Sequence, residues 1–392
     1  MTKLKSQVTM LMIIGLVILI IVSFVIYLSK YAVKKQGQQN IKRSQEAFDT
    51  QPIKEFVAKC FDKLAKDAIA LLGKQGGYIY ASQGGTIVDY SETDEGLFFV
   101  KYNGHNVAYN ILPPKFDIPP YSSNIPDYPW GTFPYATAAS NEETFEGFFG
   151  VNNMPPLEWT GGPNSIQTQI ETFIDKNMIS CANFGLFEEQ GFEVVISASN
   201  TSVVIGINGL SVKSRIPIRL INPTKNEVTE LNDFSTIVDV GLMDMYLFIK
   251  NLVDKDVQDI KFNISDIKNY KDFVSVKLVK NVFSNDDLVI VTDEDGSIYG
   301  KPFEYVFARR NRAPALYYIK NNVLEFPHLH GITQEDLLGS YTLKAEDPDE
   351  DEYTFKITPA LPRVLNVPQI KFKVEVDDVG LWDYQIVTVN RK

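Results

Sequence analysis

Apolar residues along this chain fall into three patterns: an unbroken run, a helical spacing and a strict alternation. The unbroken run extends from Val8 to Leu28 without a charge. A helix rising ~1.5 Å per residue would carry it across the ~30 Å of a hydrocarbon core, so it predicts a transmembrane helix. The helical spacing recurs three times. Ile53, Phe56, Val57, Cys60, Leu64, Ala68 and Leu71 mark an amphipathic helix, with Pro52 in its first turn and Gly73 as its stop. Ile166, Ile170, Phe173, Ile174, Met178 and Cys181 mark a second, starting near Asn164 or Ser165, with Gln167 placed to complete a capping box from Asn164. Residues 235–254 are apolar on most sides and predict a third, largely buried helix.

Alternation marks the strands. "GLFFVKYNGHNVAYNIL" reads as a hairpin turning near Asn103-Gly104. "TSVVIGINGLSVKSRIPIRL" reads as another, turning at Asn208-Gly209 and pairing Ile207 with Leu210 and Ile205 with Val212. "DLVIVT" and "FEYVFA" are short strands flanking a turn at "DEDGS". From Asn311 onward, Tyr341-Leu343-Ala345, Tyr353-Phe355-Ile357, Phe372-Val374-Val376 and Tyr384-Ile386 alternate between turns, the pattern of a small β-sandwich.

Between the first two helices the rhythm fails. Residues 74–163 are crowded with Gly, Pro and aromatics, as in "ILPPKFDIPPYSSNIPDYPWGTFPYA". Such Pro density excludes long helices and central strands, yet the rings are too frequent for a disordered linker. A compact, loop-rich region with short strands is expected. Its aromatics either cover a core or bind sugars or peptides. The fold expected is thus an N-terminal transmembrane helix (about 8–28) with a basic stalk to residue 50, an α+β body over 51–310, and a C-terminal all-β sandwich over 311–392.

Composition narrows the functional classes. The net charge is −11, and the only basic cluster is the stalk, so nucleic acid is not an expected partner. Three His argue against a His-rich metal enzyme, and two Cys allow a single bridge. No nucleophile elbow, phosphate-binding glycine loop or HExxH pair is present, and "GKQGG" lacks the spacing of a phosphate loop. No catalytic residue is assigned. His328 and His330 alone make a weak metal site. The sequons at Asn200 and Asn263 bear on glycosylation only if the body lies outside the cell.

The C-terminal stretch resembles cadherin-like and immunoglobulin-like repeats of surface proteins, on the strength of "NRAP", "AEDPDEDEYTFKI" and "FKVEVDDVGLWDYQIVTV". Glu350 stands where that family has Gly in the turn. "QPIKEFVAKCFDKLAKDAIALLGKQGGYI" and "IQTQIETFIDKNMISCANFGLFEEQGFEV" are similar to single-pass membrane-anchored surface proteins of small-genome archaea, a likeness that implies no activity. The Lys-Ser-Gln start resembles the signal of archaeal type IV pilins, although the Glu expected five positions into the mature helix is missing. The lysine count around the apolar run favours a cytoplasmic C-terminal side. The resemblances place the body outside the cell instead, in a single-pass protein of the cell membrane.

Two sites follow. Clustered carboxylates at Asp347, Asp349 and Asp351, with Asp377 approaching from a neighbouring strand, are candidate calcium ligands, because hard cations collect six to eight oxygens. A solvated acidic turn is the alternative. Cys60 and Cys181 each lie on the apolar stripe of a helix and would meet as a disulfide if those stripes pack together. The alternative is two buried free thiols. The expected function is structural, adhesive or envelope-building, at the surface, with the lipid bilayer and other surface proteins or glycans as partners. A pilin-like subunit, or an anchored binding protein or enzyme using the aromatic region, are the alternatives.

Overall fold

The computed structural model describes residues 51–113 and 149–391, except 159, 161, 190, 208, 223–226, 267–273, 318–322, 327–342, 359–368 and 379–380. These residues form a mixed α+β chain in which strands predominate. The expected layout of membrane helix, α+β body and separate sandwich does not stand. Among the described residues no helix is long and apolar enough to cross a membrane, and the run from Val8 to Leu28 lies outside them. The C-terminal strands do not stand apart as a sandwich either. They fall in one compact unit with most of the body, and buried ion pairs described below join them to it.

The chain divides into two compact units. The larger holds residues 58–183, 198–216 and 233–392; the smaller holds residues up to 57 together with 184–197 and 217–232.

A six-stranded sheet organises the larger unit. β1 (Phe99–Tyr102) and β2 (His105–Leu112) form the first predicted hairpin, closed by Asn103 and Gly104 at φ 48° and 80°. That pair of positive φ values is what an Asn-Gly hairpin turn requires. β2 also pairs with β3 (Val151–Asn152) and, in parallel, with β10 (Lys301–Arg309). β9 (Asp286–Ile298) and β8 (Val274–Phe283) complete the sheet in the order β1-β2-β10-β9-β8. Val100, Val107, Tyr109, Leu288, Val306 and Ala308 form one buried cluster on it.

The β9–β10 turn departs from expectation. The chain reverses at Tyr299-Gly300, both at positive φ, and "DEDGS" lies inside β9. There the Asp293 carboxylate accepts from the backbone N–H groups of Asp295 and Gly296, and the β9–β10 register shifts nearby. A side chain that binds its own backbone produces an irregularity within a strand as readily as a reversal.

Two helices flank the strands. α1 (Gln51–Lys74) buries Cys60, Phe61, Leu64, Ala65, Ala68, Ile69 and Leu72. Gly73 does not stop it. A Cβ there would sit 2.4 Å from the Glu304 carbonyl oxygen, so this glycine permits helix and sheet to approach closely. α2 (Ile166–Cys181) begins one residue later than a capping box from Asn164 would require: Ser165 is the N-cap, and its Oγ accepts from the Thr168 N–H at 3.2 Å. Gln167 is thereby freed for another task. Together with Glu171 and Asp175, on successive turns, it lines β5 (Asn200–Gly206). Gln167 donates to the Val203 carbonyl, Val203 N–H donates to Glu171, and Thr201 N–H donates to Asp175. A helix face thus satisfies backbone groups that a bare strand edge would leave open. Gln169, fully buried, accepts from Ile79 N–H and donates to the carbonyls of Gly77 and Asn164, fixing the loop after α1 onto α2.

β6 (Gly209–Asn222) pairs with β5, but two residues away from the expected register: Ile205 faces Leu210 and Val203 faces Val212. Alternation cannot distinguish registers that differ by two, because both keep the same side chains inside. In the observed register Gly206 faces Gly209, and a Cβ on Gly209 would lie 2.7 Å from the Val238 carbonyl. Residues 235–238 close β7 (Glu227–Val238), and the third helix, α3 (Leu242–Gln258), begins after them. Beyond it, β14 (Thr354–Thr358), β15 (Gln369–Asp378) and β16 (Leu381–Arg391) form an antiparallel sheet, to which β12 (Val323–Phe326) adds in parallel. β11 (Ala315–Leu316) pairs separately with β13 (Ala345–Glu346).

In the smaller unit, β4 (Glu193–Ile196) pairs antiparallel with residues 218–221 of β6. Phe56, Phe184 and Phe187 gather there, with ring centroids 5.8–6.1 Å apart.

Candidate functional site: a buried ionic junction and an aromatic cleft

Charged groups concentrate where β10 ends and the chain enters its C-terminal stretch. Arg309, the last residue of β10, is 2% exposed, and Arg312, three positions on, is fully buried. Asp256 comes from the end of α3, Asp287 from the start of β9, and Asp349 from the acidic turn after β13. Arg309 reaches Asp287 at 2.7 Å and Asp256 at 3.2 Å, with its Nε 3.2 Å from Asp349. Arg312 grips Asp349 through Nη2 at 2.7 Å and Nε at 3.1 Å, and its backbone N–H donates to the second carboxylate oxygen at 2.6 Å. The same guanidinium lies 2.8 Å from Asp256 and donates to the Pro348 carbonyl at 3.0 Å. Lys280 closes the group, at 3.1 Å from Asp287 and 2.9 Å from Asp351.

Four carboxylates, Asp256, Asp287, Asp349 and Asp351, thus face three cations, Lys280, Arg309 and Arg312. Burial by itself would disfavour charge on Asp349, but Arg312 and Arg309 outweigh it and hold the carboxyl below the usual range. The arginines move upward: burial opposes their charge, and the surrounding carboxylates more than restore it. A buried network of this kind fixes geometry, because removing one partner strands the other charge.

The candidate calcium ligands are drawn into different arrangements. Asp349 belongs to the arginine network. Asp351 accepts from Lys280. Asp347 uses Oδ1 to accept the N–H groups of Asp349 and Asp351, while its buried Oδ2 has no hydrogen-bond partner among the described residues. Burial, with Asp349 and Asp351 nearby, pushes its pKa up to about 7. Asp377 lies on β15, opposite Thr354 and Trp382. Among the described residues no group of three or more His, Cys, Asp or Glu side chains is arranged to hold a metal ion. Glu350 adopts φ +61°, the conformation for which glycine is suited.

Cys60 and Cys181 are joined as a disulfide, their Cα atoms 5.9 Å apart and 121 positions apart in sequence. The bridge links α1 to the end of α2 across the loop-rich region.

That region also forms a cleft of about 910 Å³ in the larger unit. Tyr90 and Phe98 stack face to face on its wall, centroids 4.5 Å apart and planes within 2°. Tyr80 meets Tyr90 edge-on. Phe98 is 49% exposed, whereas the adjacent Phe99 is fully buried, so the aromatic residues of this segment divide between core and surface. Three of the cleft's four tyrosine hydroxyls are committed: Tyr78 donates to the Asn153 carbonyl, Tyr80 to that of Asn106, and Tyr109 to Asp286. Burial pushes the Tyr78 hydroxyl up to about 12, so it stays protonated. Arg310 stands at the cleft, 5.9 Å from the centre of the Tyr109 ring, and its guanidinium makes no ion pair or hydrogen bond among the described residues.

Arg309, Arg312, Asp256 and Asp287 are not among the candidate site residues read from the sequence. Two arginines flanking the end of an apolar strand, with an Asp-Pro-Asp turn downstream, were the available signal. Comparison of the chain with family models, curated proteins and solved structures gives no match.

Proposed function

We propose that this protein works outside the cytoplasm, at the cell surface, in a structural or adhesive role. The observation that carries this reading is the Cys60–Cys181 disulfide. Such bonds persist in oxidising compartments and are rare where thiols are kept reduced. The ionic junction supports the structural side of the reading. Its charges are spent on one another and on backbone groups, which holds the C-terminal strands rigidly to the body. The aromatic cleft supports the adhesive side, since it presents ring faces and a cation at the surface.

The test has two arms on native cells. Thiol labelling of unreduced, denatured protein is expected to find no free thiol. Protease added to intact cells is expected to cleave the C-terminal stretch. Two free thiols together with full protection would sink the proposal.

A further inference from the structure

We propose that the aromatic cleft is a binding site for an acidic saccharide, a glycan segment whose sugar carries a carboxylate. The inference rests on the adhesive reading above and names the ligand class of the same surface.

Three features converge on this class. The first is the stacked pair Tyr90 and Phe98, which offers a flat, half-exposed aromatic face. The C–H face of a pyranose packs against such a surface, removing apolar area from water on both sides. The second is the commitment of the tyrosine hydroxyls. Tyr78, Tyr80 and Tyr109 spend their hydroxyl protons on Asn153, Asn106 and Asp286, so none of the three offers a free donor to a ligand. A ligand that carries hydroxyl donors of its own, as a sugar does, suits such a wall.

The third feature is Arg310. Among the described residues its guanidinium makes no hydrogen bond or close ion pair, though it packs near the Tyr109 ring and favours the charge of Asp286 at longer range. Its hydrogen-bond donors thus remain open, and the planar fork of arginine matches a carboxylate with two parallel hydrogen bonds. Two further polar groups line the cleft. Among the described residues Thr86 Oγ1 is buried without a hydrogen-bond partner, and the exposed Asn164 lines the same cleft. Each matches a sugar hydroxyl better than an apolar side chain. The cleft's volume lies within the ~300–1,000 Å³ typical of small-ligand sites and accommodates about two or three sugar rings.

The experiment is a calorimetric titration of the full chain, disulfide intact, in detergent. Trigalacturonate and a hyaluronan tetrasaccharide are the probes, and fully methyl-esterified trigalacturonate is the neutral control. At least one acidic probe is expected to bind, at least tenfold more tightly than the ester, with the difference shrinking as salt rises. Arg310→Gln is expected to abolish the preference over the ester, while Arg310→Lys retains part of it. Phe98→Ala is expected to weaken acid and ester alike. Each variant is first checked for an unchanged melting temperature.

Absence of binding by both acidic probes overturns the proposal, as does an acid preference that survives Arg310→Gln. So does tighter binding of a proline-rich peptide than of either sugar. None of these outcomes depends on where the protein resides, so failure here is distinguishable from failure of the surface assignment.

Discussion

Arg312 and Asp349, 37 positions apart in sequence, are bound to each other through three donors: both oxygens of the carboxylate are held by the guanidinium and backbone N–H of a fully buried arginine. The pair joins the entry to the C-terminal stretch to its acidic turn, and through Asp256 it reaches the end of α3. Removing either partner leaves the other charge buried and unpaired. Arg312→Met and Asp349→Asn are each expected to destabilise the fold by about 3–5 kcal/mol, read from denaturant midpoints. The double variant is expected to cost clearly less than the sum of the two. Additive effects would show that the pair is not coupled.

The disulfide closes a long loop. Replacing Cys60 and Cys181 together with Ala is expected to lower stability by about 4–5 kcal/mol in the chain-entropy picture. The bridge constrains the unfolded chain, so the slope of the denaturant transition is expected to rise in the variant. A midpoint unchanged from that of the parent would mean the bridge contributes nothing.

Stability is expected to fall on the alkaline side of a mildly acidic maximum. Asp347 has its pKa raised from 3.8 to about 7, chiefly by burial, so its stabilising contribution is complete only below the unfolded value and is lost progressively as pH rises to the folded one. Asp378 and Asp383 are also raised by burial and act in the same direction. Asp349, held low by its arginines, acts oppositely: its contribution is present above its unfolded pKa and is lost as pH falls through its folded one. The melting temperature near pH ~5 should therefore exceed that near pH ~8. Asp347→Asn should remove part of the alkaline decline. Parallel pH profiles for parent and variant would refute the assignment to Asp347.

Glu350 is held at φ +61° in the acidic turn. For a residue with a Cβ that conformation costs roughly 1–2 kcal/mol, and glycine escapes most of the cost. Glu350→Gly is expected to raise stability by up to about 1 kcal/mol, the gain being reduced by glycine's freedom in the unfolded chain. Thermal melts of the two proteins decide it, and a clear drop would mean the glutamate side chain carries an interaction of its own.

Local chemistry was legible in the sequence. The spacing of Ile53 through Leu71 marked α1, and Asn103-Gly104 marked its hairpin, because helix period and turn conformation depend on near neighbours alone. Cys60 and Cys181 could be paired in advance because each stripe can face only inward. The register of β5 against β6 could not be read, since alternation is blind to a two-residue slip. The N-cap at Ser165 and the turn at Tyr299-Gly300 each lay within a few residues of the expected place, where two local solutions compete and packing selects one.

The sequence by itself determined the local periods and the Asn103-Gly104 turn, and it offered the two thiols that meet. The tertiary structure alone decided what the acidic turn does. In sequence, Asp347, Asp349 and Asp351 are three like charges, equally suited to water or a cation. In the fold each meets a different environment: backbone N–H groups for Asp347, two arginines for Asp349, a lysine for Asp351. A carboxylate's role depends on the charges and dielectric within a few ångströms of it, and those come from α3, β8, β9 and β10, remote in sequence and adjacent only once the chain has folded.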